Sequence, residues 1–272
     1  MNKLAVAISI FLIGTVSASA ADLAARPYTK APPPMVVAAY DWSGFYIGAN
    51  GGGAWSRKCW DINPFVINTP AVVGPINVNG PEGCHTASGA TAGGQIGYRW
   101  QSAAWVFGVE AQGNWADLRG SNLTTNALFV GNGIANRTRV DSIGLFTGQV
   151  GYSWNTTLLY VKGGAAVARD KYDSFLTTAF GGQLPGFVVS RGDETRWDGV
   201  VGVGGEYAFS PNWSLALEYD HLFLGSRDVT MSYDPALFVP ALLNHSDRIR
   251  QDIDMVTLRL NYRFGGPVIA KY

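Results

Sequence analysis

Charged residues in this sequence recur at alternate positions within segments that are otherwise apolar or glycine-rich. Alternate residues of a β-strand point to the same face, so such charges are expected to share one face of a sheet. On an enclosed face, opposite charges should pair and form hydrogen bonds, because an unpaired buried charge is costly. The residues that follow this pattern are Arg99, Glu110, Lys162, Glu206, Glu218, Arg259 and Arg263.

Catalytic motifs are missing from the sequence. It contains no G-x-S-x-G, no H-E-x-x-H and no P-loop lysine, and the glycines at 202, 204 and 205 lie in a predicted strand without the helix of a dinucleotide site. His221 beside Asp220 is the nearest approach to an acid–base pair, and a hydrogen-bonded strand histidine is the favoured interpretation. We therefore expect no enzyme and no cofactor.

The two cysteines, Cys59 and Cys84, follow an export signal described below. In an oxidising compartment, two cysteines predict one disulfide. A zinc site is disfavoured, because the sequence has no C-x-x-C and its three histidines are scattered. No metal site is expected.

Short polar turns join pairs of alternating segments. Three such units lie at 94–112, 147–164 and 203–219, and the phrase G-Q-x-G-Y-x-W occurs in the first two. Strand, tight turn and strand is the pattern of a β-hairpin. Long polar stretches separate the units and are predicted to be loops: 56–90, 117–138, 173–194 and 225–249.

Alternation predicts eight strands, which fits a bacterial outer-membrane barrel with short periplasmic turns and long extracellular loops. The predicted class is therefore all-β, an eight-stranded antiparallel transmembrane β-barrel. The predicted strands cover 43–54, 92–101, 105–116, 140–154, 158–170, 195–209, 213–224 and 251–264.

The two faces of each strand differ in polarity, and the apolar rows end in aromatic residues beside the short turns. In a membrane barrel, apolar rows face lipid and charges face the lumen, whereas a soluble lipocalin-like barrel has the reverse arrangement. Aromatic girdles mark membrane interfaces, which favours the membrane barrel. Side chains fill the interior of eight strands, so the charged lumen is expected to be a salt-bridged plug. The predicted girdle comprises Tyr98, Trp100, Trp105, Tyr152, Trp154, Tyr207, Phe209, Trp213, Tyr262 and Phe264.

The composition agrees with this class. The chain holds 34 glycines, 12% aromatic residues and 15% charged residues, against about 25% charged residues in an ordinary soluble domain. Its formal net charge is zero, so nothing points to nucleic acid.

The N-terminus has the pattern of a secretory signal peptide. Lys3 precedes the apolar run 4–13, and small residues lead to a cleavage site expected between Ala20 and Ala21. The alternative, a transmembrane anchor, needs about 20 apolar residues. We therefore predict a signal peptide at 1–20, a Pro-rich linker at 21–40, the barrel at 41–264 and a tail at 265–272.

Two segments carry a family resemblance. Asp41–Gly53, D-W-S-G-F-Y-I-G-A-N-G-G-G, resembles the opening strand of small outer-membrane β-barrel proteins of alphaproteobacteria, and Leu258–Phe264, L-R-L-N-Y-R-F, resembles their closing strand. That family includes surface antigens and haemin-binding proteins of Brucella and Bartonella. The resemblance implies Sec-dependent export to the outer membrane, contact with lipid and lipopolysaccharide, and assembly by the barrel-assembly machinery. Either Phe264 or Tyr272 is the expected assembly signal.

Three functions are compatible with these features. The first is a structural or surface protein that contributes to envelope integrity; the tail is too short to carry the peptidoglycan-binding domain of larger OmpA proteins. The second is a porin-like passive channel. The third, which the resemblance permits but the residues favour least, is haem capture by His85, His245, Tyr172 and Tyr233 in the predicted loops. The sequence does not predict an oligomeric state.

Overall fold

A computed structural model describes residues 40–67, 76–126, 133–180, 182–234 and 245–265. The predicted signal peptide, the linker before Tyr40 and the tail after Gly265 lie outside these residues. The strands are β1 (Gly44–Ile67), β2 (Ile76–Ser102), β3 (Trp105–Leu123), β4 (Ile134–Trp154), β5 (Thr157–Leu176), β6 (Val188–Ala208), β7 (Trp213–Tyr233) and β8 (His245–Arg263).

Each strand pairs antiparallel with the next, and β8 pairs with β1 to close the barrel. Tyr46 of β1 lies opposite Gly97 of β2 on one side and Arg263 of β8 on the other. The predicted eight-stranded antiparallel barrel is confirmed. Among the described residues, no helix is long and apolar enough to cross a membrane.

The strands are longer than predicted at the end away from the short turns. β1 continues to Ile67 and β2 begins at Ile76, so much of the stretch predicted as a loop at 56–90 is a hairpin. The other three predicted loops also begin or end inside strands. The prediction was wrong there because the outward residues become charged, as at Arg57 and Arg119, and the apolar alternation disappears.

The outer wall has an apolar band whose height fits a membrane. On β1 it runs from Phe45 to Trp55, and the next outward residue is Arg57. That span of about 10 residues is what a tilted transmembrane strand needs. The ten residues of the predicted girdle lie on the outward face beside the short turns, where Phe45 adds a further aromatic ring.

The short turns depend on left-handed backbone conformations. Ala103 has φ 52° between β2 and β3, and Asn155 has φ 55° between β4 and β5. Residues with positive φ suit two-residue hairpin turns, whose twist matches that of the strands. These turns place the inward residues of successive strands in a fixed register.

The disulfide lies on the outer wall, beyond the apolar band. Cys59 of β1 and Cys84 of β2 are directly opposite each other, and their sulfur atoms are 2.06 Å apart. The bond therefore joins two neighbouring strands in the part of the barrel that projects away from the short turns.

Candidate functional site: the lumen of the barrel

The lumen holds all seven charged residues that alternation assigned to one face. Each is at most 8% exposed: Arg99, Glu110, Lys162, Glu206, Glu218, Arg259 and Arg263. The outward neighbours of these residues face the surroundings of the barrel, as at Tyr98, Val109, Val161 and Leu258. Six of the seven form ion pairs: Glu110, Lys162, Glu218 and Arg259 in one cluster, and Arg99 with Glu206 in a separate pair.

Two inward-facing tyrosines form hydrogen bonds to carboxylates of this network. Tyr46 lies over Gly97 of the next strand and Tyr160 over Gly204, and a methyl group at either glycine would collide with the tyrosine ring. The glycines of the alternating phrase thus leave room for rings inside the barrel. The Tyr46 hydroxyl donates to Glu110 Oε2 and the Tyr160 hydroxyl to Glu218 Oε2, both at 2.6 Å.

Arg259 is the centre of the network. Its Nη1 donates to Glu218 Oε2 and its Nη2 to Glu110 Oε2, so one guanidinium bridges carboxylates from β3 and β7. Lys162 Nζ lies 2.6 Å from Glu218 Oε1 and 3.7 Å from Glu110 Oε1. Two cations and two carboxylates therefore form one cluster.

One further contact extends this cluster, and another is a separate ion pair. Asp220 Oδ1 lies 3.2 Å from Lys162 Nζ. Arg99 Nη2 lies 2.8 Å from Glu206 Oε2, and the Arg99 guanidinium is 4.4 Å from the centre of the Tyr46 ring. The alternation that places Glu218 inward also places Asp220 inward, so the signal for Asp220 was present in the sequence.

Arg263 lies in the lumen without joining the carboxylates. It donates to the backbone carbonyls of Ser43, at 3.0 Å, and Pro211, at 2.9 Å. The expectation that Arg263 belongs to the ion-pair network was wrong, because Arg263 lies at the level of the turn carbonyls rather than that of the glutamates. These two hydrogen bonds connect the end of β8 to the turn that contains Pro211 and to the segment before β1.

A layer of apolar side chains lies further along the lumen. The largest of these side chains, including Leu118, Leu145 and Leu222, are at most 1% exposed. The layer comprises Ala54, Ala87, Ala116, Leu118, Val140, Ile143, Leu145, Ala166, Ala168, Val200, Leu222, Leu224, Ile253 and Met255. The alternation of polar and apolar residues does not predict this layer, because small and apolar inward residues look like interruptions of a polar row.

A second, smaller polar layer follows beyond the membrane band. Lys58 Nζ lies 2.6 Å from Asp170 Oδ1 and 2.6 Å from Gln251 Oε1, and both charged side chains are fully buried. Burial lowers the pKa of Lys58 to about 8, although Asp170 opposes that shift. The ring of Trp60 packs edge-on against Tyr172 above this pair.

Carboxylates near the extracellular end have fewer cationic partners. Burial and the neighbouring Asp247 raise the pKa of Glu82 to about 7. Glu82 accepts a hydrogen bond of 2.8 Å from Asn136, and His245 Nε2 is 3.5 Å from Asp247 Oδ2. This end of the lumen should therefore respond to pH near neutrality.

The segment before β1 covers the opposite, short-turn end. Trp42 is 2% exposed; its backbone NH donates to Gln101 Oε1 at 2.8 Å and its indole NH to the Asn155 carbonyl at 3.2 Å. The ring packs against Val106, Leu158 and other inward side chains at this end. Trp42 precedes the alternating pattern, so that pattern predicts no role for it.

The four haem-ligand candidates lie on strands rather than in loops. His85 lies on β2, where its Nδ1 is 2.7 Å from Asn122 Oδ1 and its Nε2 is 3.1 Å from Thr138 Oγ1. Tyr172 is fully buried on β5, Tyr233 ends β7 and His245 begins β8. No cluster of His, Cys, Asp and Glu suited to a metal ion occurs within the described ranges.

The suggested pair of Asp220 and His221 does not form, since the two residues lie on opposite faces of β7. His221 faces outward, where its Nδ1 is 2.7 Å from Asp254 Oδ1. The Tyr219 hydroxyl donates to the same carboxylate oxygen at 2.6 Å. The histidine is a hydrogen-bonded residue of the outer wall.

Comparison with known proteins identifies the family of this barrel. Residues 8–264 match the outer membrane protein beta-barrel domain. The chain belongs to this family. It is 29% identical over 262 residues to the 31 kDa outer-membrane immunogenic protein of Brucella melitensis, covering 94% of this chain and 97% of the relative. It is 28% identical over 178 residues to outer membrane protein P1 of Coxiella burnetii, covering 63% and 67% of the two chains.

Solved outer-membrane proteins give more distant matches. OprG of Pseudomonas aeruginosa has a TM-score of 0.42 and 13% identity, with 83% of this chain and 98% of OprG covered. Ail of Yersinia pestis has a TM-score of 0.36 and 15% identity, with 82% and 99% covered. The predicted resemblance to small alphaproteobacterial barrels is confirmed by the family and the Brucella match, and the protein is located in the outer membrane.

Proposed function

We propose that this protein is a structural and surface component of the outer membrane whose barrel does not conduct solutes. The observation that carries the proposal is the layer of buried apolar side chains between two ion-paired layers of the lumen. Water and small solutes would have to cross apolar side chains at close packing, which leaves few voids larger than a water molecule.

The ion-paired layers support the same function. Arg259 and Lys162 hold Glu110 and Glu218 from opposite sides of the lumen. A diffusing ion would have to break these contacts, and leaving one buried partner unpaired costs about 3–5 kcal/mol. Trp42 adds a ring across the short-turn end.

Two observations support the surface role: the description of a relative, and the length of the strands beyond the apolar band. The Brucella relative is described as immunogenic. The strands of this barrel extend well beyond the apolar band and present charged side chains there, as at Arg57 and Arg119. That projecting rim would be exposed at the cell surface.

A porin-like channel is the alternative, and liposome swelling separates the two functions. Refolded protein in liposomes should admit a small sugar no faster than protein-free liposomes. The triple variant Leu118→Ala, Leu145→Ala, Leu222→Ala removes inward side chains and should increase the swelling rate. A matched triple variant of lipid-facing residues, Leu159→Ala, Leu217→Ala, Leu260→Ala, should not.

Heat-modifiable migration in gels verifies that each variant has folded as a barrel before swelling is compared. Rapid swelling with the unsubstituted protein would contradict the proposal and favour the porin-like channel. Equal swelling with the inward and lipid-facing variants would show that the apolar layer is not what closes the lumen.

A further inference from the structure

A groove runs along the outer wall over β3, β4 and β5, at the extracellular edge of the apolar band. Its volume is about 460 Å³. Gly113 of β3 lies opposite Gly144 of β4, which lies opposite Val167 of β5. Gly113 contributes no side chain and leaves the groove open there, whereas the Val167 side chain lies beside Gly144.

Side chains of the next row form the outer edge of the groove. Trp115, Ser142, Arg169 and Thr195 are consecutive cross-strand neighbours. Trp115 is 79% exposed and forms one wall, whereas Arg169 on β5 is exposed at the other. Further along the outer wall, towards the short turns, Phe146 stacks on Trp197, with ring centres 6.0 Å apart. The groove is therefore apolar along the membrane and cationic at its upper rim.

The wall above the groove has excess positive charge. Arg139 and Lys171 contact Asp141, while Arg119 and Arg139 contact Asp117. A third carboxylate, Asp193, lies opposite Lys171, so with Arg169 the cations exceed the carboxylates by one. Arg169 has no ion-pair or hydrogen-bond partner among the residues that the structure describes. Strands are spaced at about 4.8 Å, so these cations spread over about 10 Å across three strands.

We propose that this groove binds one phosphorylated glycolipid of the outer leaflet, of the lipid A type. An acyl chain would lie over Gly113, between Trp115 and Val167. A phosphate would contact Arg169, and a second anionic group would reach the cations above it. Arginine is well suited to phosphate, because its guanidinium donates paired hydrogen bonds.

The choice of this lipid follows from charge and position. The groove lies at the edge of the apolar band that is remote from the short periplasmic turns, where the outer-leaflet headgroups are located. Cations on three strands match a headgroup with more than one anionic group better than a lipid with a single phosphate. The inference does not depend on whether the lumen conducts.

Native mass spectrometry of the refolded protein with bis-phosphorylated lipid A tests the site. The Arg169→Gln variant should lower the bound fraction about tenfold, equivalent to about 1.4 kcal/mol. Gly113→Leu should lower it similarly by filling the groove. No atom lies within 4 Å of a Cβ built at Gly113, so this variant should fold normally.

Arg57→Gln is the matched control. Arg57 is likewise exposed, lies just beyond the apolar band on β1 and has no partner among the described residues, but it is not part of the groove. It should leave binding unchanged, and dephosphorylated lipid A should bind more weakly than the bis-phosphorylated form.

Three results would overturn the proposal. One is equal loss of lipid A with Arg57→Gln and Arg169→Gln, which would indicate a diffuse belt of charge. Another is binding of phosphatidylglycerol as tightly as lipid A. The third is absence of bound lipid A on the unsubstituted protein.

Discussion

The two ends of the lumen contain ionisable residues in different arrangements. Within the membrane band, Arg259 and Lys162 connect carboxylates of β3 and β7, and tyrosine hydroxyls donate to Glu110 and Glu218. Beyond the band, Lys58 pairs with Asp170 and Arg196 with Glu194. Among the described residues, Glu82 has no ion-pair partner, and Asp247 has only His245, whose Nε2 is 3.5 Å away.

The difference reflects what surrounds each end. Lipid encloses the membrane-embedded wall, so each charge inside it needs a cation or carboxylate contributed by another strand. The projecting end lies beyond the lipid, and its buried carboxylates can adjust their charge by taking up or releasing protons. We expect the embedded network to contribute most to stability and the projecting end to provide most of the pH dependence.

The largest effect is expected from the embedded network. Arg259→Met leaves Glu110 and Glu218 without their shared guanidinium and should lower the free energy of unfolding by about 3–5 kcal/mol. Urea unfolding of the refolded protein in lipid vesicles measures this loss. Arg263→Met is the control: it removes hydrogen bonds to two carbonyls and should cost about 1–3 kcal/mol. If the two variants lose equal free energy of unfolding, the ion pairs of Arg259 stabilise the barrel no more than the hydrogen bonds of Arg263 do.

The disulfide, which cross-links the projecting end, should have the next largest effect. The double variant Cys59→Ser, Cys84→Ser removes a cross-link over a sequence separation of 25 residues, which corresponds to about 3 kcal/mol in the chain-entropy model. Urea unfolding with and without reductant checks this value. Reductant should reproduce the loss in the unsubstituted protein and have no effect on the double variant.

Glu82 should give the barrel a pH dependence of opposite sign to that of a salt-bridged carboxylate. Its pKa is about 7 in the folded protein and 4.5 ordinarily, so the folded state binds the proton more tightly. The free energy of unfolding should therefore fall as the pH rises from 4.5 to 7, by at most about 3 kcal/mol.

Unfolding measured between pH 4 and pH 8 tests this direction. Glu82→Gln should flatten that part of the profile and stabilise the protein at pH 8. Asp252→Asn, which alters an outward carboxylate of β8, should leave the profile shape unchanged. A Glu82→Gln profile that still falls from pH 4.5 to 7 would place the titrating group elsewhere.

An ion pair on the outside of the projecting wall should have the smallest effect. Arg137 Nη2 lies 2.9 Å from Asp173 Oδ2, and both side chains are partly exposed to water. Arg137→Gln should cost less than about 1 kcal/mol, because exposed pairs are solvated and screened. A loss as large as that of Arg259→Met would show that location in the lumen is not what makes the embedded pairs important.

The period of two allowed much of the interior to be predicted from sequence. It assigned Glu110, Glu206 and Glu218 to the polar face, and all three lie buried in the lumen, opposite apolar outward neighbours. The same rule, continued along β1 and β5, reaches Lys58 and Asp170. Those residues were missed because outward charges beyond the membrane band removed the contrast between the faces.

Other features depend on tertiary contacts that a strand pattern does not contain. Trp42 lies before the first strand, and its position is determined by the Asn155 carbonyl and Gln101. Arg263 was assigned to the correct face, but its partners are carbonyls of a turn and of the segment before β1. The groove over Gly113 and Gly144 requires the register of β3 and β4, which single-strand alternation does not determine.

Single-channel recording in a planar bilayer tests the central claim, closure of the lumen, most directly. The unsubstituted refolded protein, inserted at moderate voltage in neutral buffer, should show no stable conductance steps. Leu118→Ala, Leu145→Ala, Leu222→Ala should show small or flickering events under the same conditions. Large, long-lived steps from the unsubstituted protein would contradict a lumen closed by ion pairs and apolar side chains.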